Sequence, residues 1–310
     1  GNLENVFRQI CDPVRPTSYF ALSKSRYRFQ FQLLTGEKKE EMASIGKVHD
    51  LISNWLTPNQ YNIEYLSTFE FKGRCANNFQ IENIFLIGKA AYQIPPYAAQ
   101  SLNSGIRDAA NLIWKINLIK KYKAKNKIIH SYNIERNAKI RQTIKSSIVL
   151  GQLIDSISVA LQNSTPLEEA IAPEAREQAF GRKGKLSDKT NEPGIYNSLA
   201  YDIYSGQRFA KNIRDKNNTL IDVDKNIGFN FAIISKDNNF DHLEDGTYRR
   251  LKELNCKFLT NIQEIHLDPN LTEALTSGDI IVRPDMKIFG VTNDNLTIDQ
   301  MCQDLLNQIT

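Results

Sequence analysis

The stretch that constrains this chain most tightly is residues 81–119, IENIFLIGKAAYQIPPYAAQSLNSGIRDAANLIWKINLI. An apolar run over residues 84–87 ends at Gly88. A short loop follows with two prolines, Pro95 and Pro96, and helical spacing of apolar residues begins near Ser101 or Leu102 and runs through Trp114. A strand that hands a loop to a helix N-terminus builds a site for an anionic or electron-rich ligand. The first backbone N–H groups of a helix have no internal partner, and the helix dipole there favours negative charge. The candidate binding residues are therefore Gly88, Lys89, Pro95, Pro96, Gln100, Ser101, Leu102 and Asn103.

A length of 310 residues suggests about two domains. The net charge of +4 is small for that length, so nothing demands a polyanionic partner. Lysines do gather at Lys120, Lys121, Lys123, Lys125 and Lys127. They read as the solvated, cation-rich end of a helix rather than a nucleic-acid face. The uninterrupted apolar runs are too short to span a bilayer, and no membrane partner is expected. Cys11, Cys75, Cys256 and Cys302 form no CxxC pair, so neither a metal site nor a dithiol centre is signalled. Reduced thiols and a cytoplasmic location are the expectation. The sequence starts at Gly1 with no signal-like segment.

The pattern predicts an α/β (α+β) fold in four parts. Residues 1–80 read as a sheet region. Within it, residues 26–34 (RYRFQFQLL) alternate as a half-buried strand, Gly36 turns the chain, and residues 37–56 form a helix broken by Thr57-Pro58. Residues 65–72 alternate as a further strand. Tyr27, Phe29, Phe31 and Phe69 are expected in the core. Residues 81–165 hold the strand, the loop and long helices, with residues 128–161 forming one or two of them. Residues 166–193 are a polar linker. Residues 194–310 alternate between strands at 220–221, 229–234, 257–259 and 280–283 and helices at 248–254 and 298–308, which predicts a small layered α/β domain that folds alone from about Pro193.

The 81–119 stretch resembles the second flavin motif of the FAD-dependent aromatic-ring hydroxylases of the phenol and hydroxyphenylpropionate type, roughly GDAAHxxPPxxGQGxNxGxxDAxNLxWKL. Gly88, Ala90, Ala91, Pro95, Pro96, Gln100, Asn103, Gly105, Asp108, Ala109, Asn111, Leu112, Trp114 and Lys115 match. Further matches are Cys11, Asp12, Pro13, Arg15 and Pro16 with Phe31, Leu33, Leu34, Gly36 and Glu37; Ser131, Tyr132, Glu135, Arg136 and Arg141; and Arg283, Pro284 and Asp285. The resemblance implies a partial flavin-monooxygenase fold followed by a thioredoxin-like α/β domain over 194–310, which in that family serves oligomerisation. It implies FAD as cofactor, NAD(P)H as electron donor and a small phenolic substrate under the sheet of residues 1–80. It assigns no catalytic residue here.

Four positions depart from the motif. The motif's Asp is Lys89, its His is Tyr92, and its two turn glycines are Ala99 and Ser101. A lysine has only donors and cannot accept from the ribityl hydroxyls that the Asp holds in the family. Ala and Ser take positive φ less readily than Gly. Asp108 is expected to pair within the protein, and Glu135 and Arg136 to form an ion pair or lie on a helix surface. No GxGxxG turn follows a strand, so the pyrophosphate-binding third of a family member is expected outside this sequence, with a separate N-terminal FAD-binding half as a candidate partner. The alternatives are a catalytically inactive relative acting through interactions, and one subunit of a split flavin enzyme.

Overall fold

The computed structural model describes residues 3–173, 175–176, 194–200, 202–237, 240–266 and 268–310. Most of the predicted linker, residues 177–193, lies outside them. The fold is mixed α/β, as the pattern predicts. The chain divides into two compact units that interleave in sequence. The first holds residues 1–74, 94–99 and 143–183; the second holds 75–93, 100–142 and 184–310.

In the first unit, β1 (Phe7–Ile10), β2 (Thr17–Ser23) and β3 (Arg26–Phe31) form an antiparallel meander in which Tyr19 lies opposite Phe29. The alternation of β3 sends Tyr27, Phe29 and Phe31 to one face. There Phe29 packs on Tyr19, and both Phe29 and Phe31 pack on Trp55 at ring distances of 5.6 and 5.9 Å. Gly36 turns the chain at a φ of +92°, a conformation open chiefly to glycine. The predicted helix over 37–56 is two, α1 (Lys39–Met42) and α2 (Ile45–Ile52). Ser44 interrupts it by accepting from the Lys47 N–H and starting α2 afresh.

The predicted strand over 65–72 is absent, and those residues carry no regular structure. Alternation stabilises a strand only where a neighbour pairs with it. Here Tyr65, Phe69 and Phe71 remain exposed at 77%, 63% and 48%, so Phe69 is not a core residue.

The second unit begins with β4 (Arg74–Cys75), the hairpin β5 (Gln80–Ile81)–β6 (Ile84–Phe85), a 3₁₀ turn at Gly88–Ala90, and β7 (Tyr92–Gln93), which pairs with β4. Then comes α3 (Ser101–Tyr122), which starts where the apolar spacing begins and continues past Trp114. It ends at Lys123 in the left-handed region, and Lys120, Lys121, Lys123, Lys125 and Lys127 are all exposed. The predicted one or two helices over 128–161 are one, α4 (Lys127–Gln162), whose residues 127–142 belong to the second unit and 143–162 to the first; α5 (Leu167–Ala170) belongs to the first unit. By length and composition alone α4 is apolar enough to cross a membrane, a property that a count of uninterrupted runs does not reveal. Its Ile128, Tyr132 and Ile140 are fully buried within the protein.

The remainder is a layered α/β arrangement. A small sheet of β8 (Asn212–Asp215), β9 (Leu220–Asp222) and β12 (Ile262–Ile265) lies beside a four-stranded sheet ordered β11 (Lys257–Leu259), β10 (Ala232–Ile234), β13 (Ile280–Val282), β14 (Ile288–Val291). The β10–β11 pair is parallel and the other pairs are antiparallel. Four helices complete it: α6 (Val223–Ile227), α7 (Asp245–Glu253), α8 (Pro269–Ser277) and α9 (Ile298–Ile309). Local caps set three of them. Asp222 and Asp268 accept from the third N–H of α6 and α8, and Thr297 and Gln300 close a capping box on α9.

Residues 194–310 carry one buried cluster of their own, which includes Ile213, Ile227, Ile234, Leu271 and Ile288. A further cluster joins Phe231, Ile233, Phe289, Met301 and Leu305 to Trp114 and Leu118 of α3 and Ile128 of α4.

Candidate cofactor-binding site

Gly88 opens the 3₁₀ turn at a φ of +56°, and Lys89 is exposed on that turn. A Cβ on Gly105 would come within 3.4 Å of the Gly88 Cα, so the turn and the first part of α3 approach backbone to backbone. The Gly88 N–H donates to Asp108 Oδ2 at 3.0 Å. The same oxygen accepts from Tyr92 Oη at 2.6 Å, and Arg136 Nε donates to Asp108 Oδ1 at 2.7 Å. Burial and the Asp108 charge push the Tyr92 phenol well above its usual range, so it stays protonated and donates. Tyr92, a departure from the motif, thus holds the turn in place. Asp108 is fully buried and pairs within the protein, as expected.

Pro95 and Pro96 belong to the first unit. Pro95 is buried and its carbonyl accepts from Ser147 Oγ at 2.6 Å; Pro96 is exposed and begins a 3₁₀ turn, Pro96–Ala98. Ala99 follows in the left-handed region at a φ of +50°. Glycine takes that conformation freely, and an alanine there costs about 1 kcal/mol. Gln100 is the N-cap of α3, and no side chain caps the helix. The first ladder bond, Ser104 N–H to the Gln100 carbonyl at 2.9 Å, leaves the amides of Ser101, Leu102 and Asn103 ahead of the ladder. Leu102 and Asn103 are exposed and Ser101 is half-buried.

A second cluster adjoins Asp108 on the same face of α3, at Asn111 and Lys115. Glu135 Oε1 accepts from Lys115 Nζ at 3.1 Å, Arg283 Nη1 at 3.2 Å and the Ile195 N–H at 3.0 Å. Its Oε2 accepts from Arg283 Nη2 at 2.8 Å and Asn111 Nδ2 at 2.7 Å. Asp285 Oδ2 accepts from Arg283 Nη2 and from Asn111 Nδ2. Burial raises the Glu135 carboxyl, but the charges of Arg283 and Lys115 more than offset it and hold it well below the usual range. Burial lowers the Lys115 ammonium to about 8 against the pull of Glu135. Glu135 and Arg136 are thus ion-paired and both buried, not on a surface. Three motifs that look independent in the sequence, NLxWK, SYxxER and RPD, meet here. Their types hinted at pairing, but nothing local shows which partner each finds.

These residues fit part of a flavin. The amides of Ser101–Asn103 suit an electron-rich ring edge, and the left-handed Ala99 provides the sharp entry into the helix. Lys89 does not fit as an acceptor for ribityl hydroxyls.

Residues 18–147 match the FAD binding domain family. A probable NADH-specific resorcinol 4-hydroxylase of Rhodococcus jostii (strain RHA1) is 26% identical over 230 residues, covering 74% of this chain and 41% of the relative. A 3-(3-hydroxy-phenyl)propionate/3-hydroxycinnamic acid hydroxylase of Escherichia coli O139:H28 (strain E24377A / ETEC) is 34% identical over 146 residues, 46% of this chain and 26% of the relative. The likeness is to flavin-dependent aromatic hydroxylases. The chain spans less than half the length of these hydroxylases. The fold agrees. OxyS anhydrotetracycline hydroxylase from Streptomyces rimosus superposes with a TM-score of 0.67 at 17% identity, covering 98% of this chain and 59% of that one. Aklavinone-11 hydroxylase, solved with FAD and aklavinone, gives 0.67 at 13% identity over 97% and 58%.

Proposed function

We propose that this hydroxylase-like chain serves the NAD(P)H-dependent, FAD-dependent hydroxylation of a small phenolic ring, and that its own contribution is the ring-edge side of the flavin site. FAD, when bound, supplies the redox chemistry by which oxygen enters the aromatic ring. The residues of this chain bind and orient. The amides of Ser101, Leu102 and Asn103 donate toward the pyrimidine edge and favour negative charge there. Tyr92, Asp108 and Arg136 hold the Gly88 turn. The observation that carries this reading is Ala99, which keeps a left-handed φ immediately before an uncapped helix N-terminus.

A thioredoxin-like character of residues 194–310, oligomerisation through them, a separate dinucleotide-binding half and a cytoplasmic location belong to the same proposal. The mixed four-stranded sheet supports the first of these, and the resemblance supports the others.

The test is FAD titration followed by flavin fluorescence. Binding should be saturable but weaker than low micromolar, because Lys89 replaces an acceptor and each lost hydrogen bond costs about 1–3 kcal/mol. Ala99→Gly should tighten binding and Ala99→Val should weaken it, since a β-branched residue resists positive φ. Equal affinity of all three proteins would refute the proposal.

A further inference from the structure

We propose that Arg283 and Asp285, in the turn between β13 and β14, are positioning residues for the Gly88 turn, acting through α3 and α4. The functional meaning of this inference rests on the flavin reading above; its geometry does not.

Asp108, Asn111 and Lys115 stand at positions i, i+3 and i+7 of α3 and so share one face. Two adjacent residues of α4 address that face. Arg136 holds Asp108 at 2.7 Å, and Glu135 takes Asn111 at 2.7 Å and Lys115 at 3.1 Å. Arg283 then clamps both oxygens of Glu135, at 3.2 and 2.8 Å, while Asp285 takes the Asn111 amide at 2.8 Å. The relay ends at Asp108, whose Oδ2 fixes the Gly88 N–H at 3.0 Å.

The charged side chains of this relay are buried, and the three cations Lys115, Arg136 and Arg283 face the three anions Asp108, Glu135 and Asp285. Charges so placed have no water to turn to, so removing one forces the others to re-pair. Without the Arg283 clamp, Glu135 keeps only Asn111, Lys115 and the Ile195 N–H, and α4 is free to shift against α3. Arg136 moves with α4, so its bond to Asp108 lengthens and the hold on Gly88 slackens. A seat for the α/β layer alone would need none of this. Apolar contacts of Trp114 and Leu118 already join that layer to α3.

The experiment is site-resolved amide hydrogen exchange on the full chain without flavin. Arg283→Met alone strands Glu135, so it is combined with Glu135→Gln, which removes one charge of each sign. In the folded double variant, exchange of the Gly88 amide should rise at least tenfold relative to the Ile233 and Ile234 amides of β10. Asp285→Asn keeps every shape and should raise it about threefold, and it serves alone if the double variant does not fold. A Gly88 rate that rises no more than those of Ile233 and Ile234 would overturn the proposal and leave a structural clamp only. Because no flavin is present, a chain that fails to bind FAD bears on the preceding proposal and leaves this result standing.

Discussion

Replacing Glu135 by Leu should be among the most damaging single changes in the second unit. Glu135 accepts five hydrogen bonds, from Asn111, Lys115, Ile195 and both terminal nitrogens of Arg283. Its loss leaves Lys115 and Arg283 buried with only Asp285 to oppose them. Breaking a buried pair by removing one partner costs about 3–5 kcal/mol, whereas replacing both partners by apolar groups is often near neutral. Glu135→Leu should therefore cost about 4 kcal/mol, and adding Arg283→Met should recover at least about half of that. The assay is urea unfolding at pH 7 in a Trp55→Phe background. That background leaves Trp114 as the sole indole, 5.1 Å from the Arg283 guanidinium. With a slope of about 2 kcal/mol per M, the midpoint should fall by about 2 M. A single-variant cost below about 1 kcal/mol, or a double variant worse than the single, would refute the reasoning.

Three further outcomes follow from the same geometry. Gly88→Ala should destabilise the second unit by about 1–2 kcal/mol, because φ there is +56°, and Gly88→Asn should cost less; equal melting points for the two would contradict this. Gly151→Ala should displace Tyr97, whose Cε2 would lie 2.5 Å from the new Cβ, and should lower the first unit's stability by about 1–3 kcal/mol as read from Trp55 fluorescence. The Lys115 ammonium is depressed to about 8 when folded, against 10.5 when free, so between those pH values the unfolded chain binds more protons. The Lys115 contribution to stability is then lowest below pH 8 and rises with pH across that window, and Lys115→Met should flatten the rise; an unchanged slope between pH 8 and 10 would exclude it.

What the sequence disclosed was local. α3 and α9 were legible because their apolar spacing lies within one element, and β11 and β13 because their apolar runs are short and bounded. Residues 65–72 show the limit of that logic. Their alternation is genuine, but no strand pairs with them, and a pattern without a neighbour does not make a strand. The same limit governs the site. Glu135 and Arg283 are 148 positions apart, so their pairing is a property of the packed second unit. Tyr92 and Ala99 show a different gap. As letters they depart from a motif, yet in the fold one braces the Asp108 carboxylate that holds Gly88 and the other sits at a left-handed φ.

The central claim is that the start of α3 receives the electron-rich edge of a flavin. It is tested most directly by titrating FAD into the isotopically labelled chain and following backbone amide resonances. The account predicts that the amides of Ser101, Leu102 and Asn103 shift together, saturably, with a dissociation constant weaker than low micromolar. Saturable binding that moves other amides and leaves these three in place would contradict it.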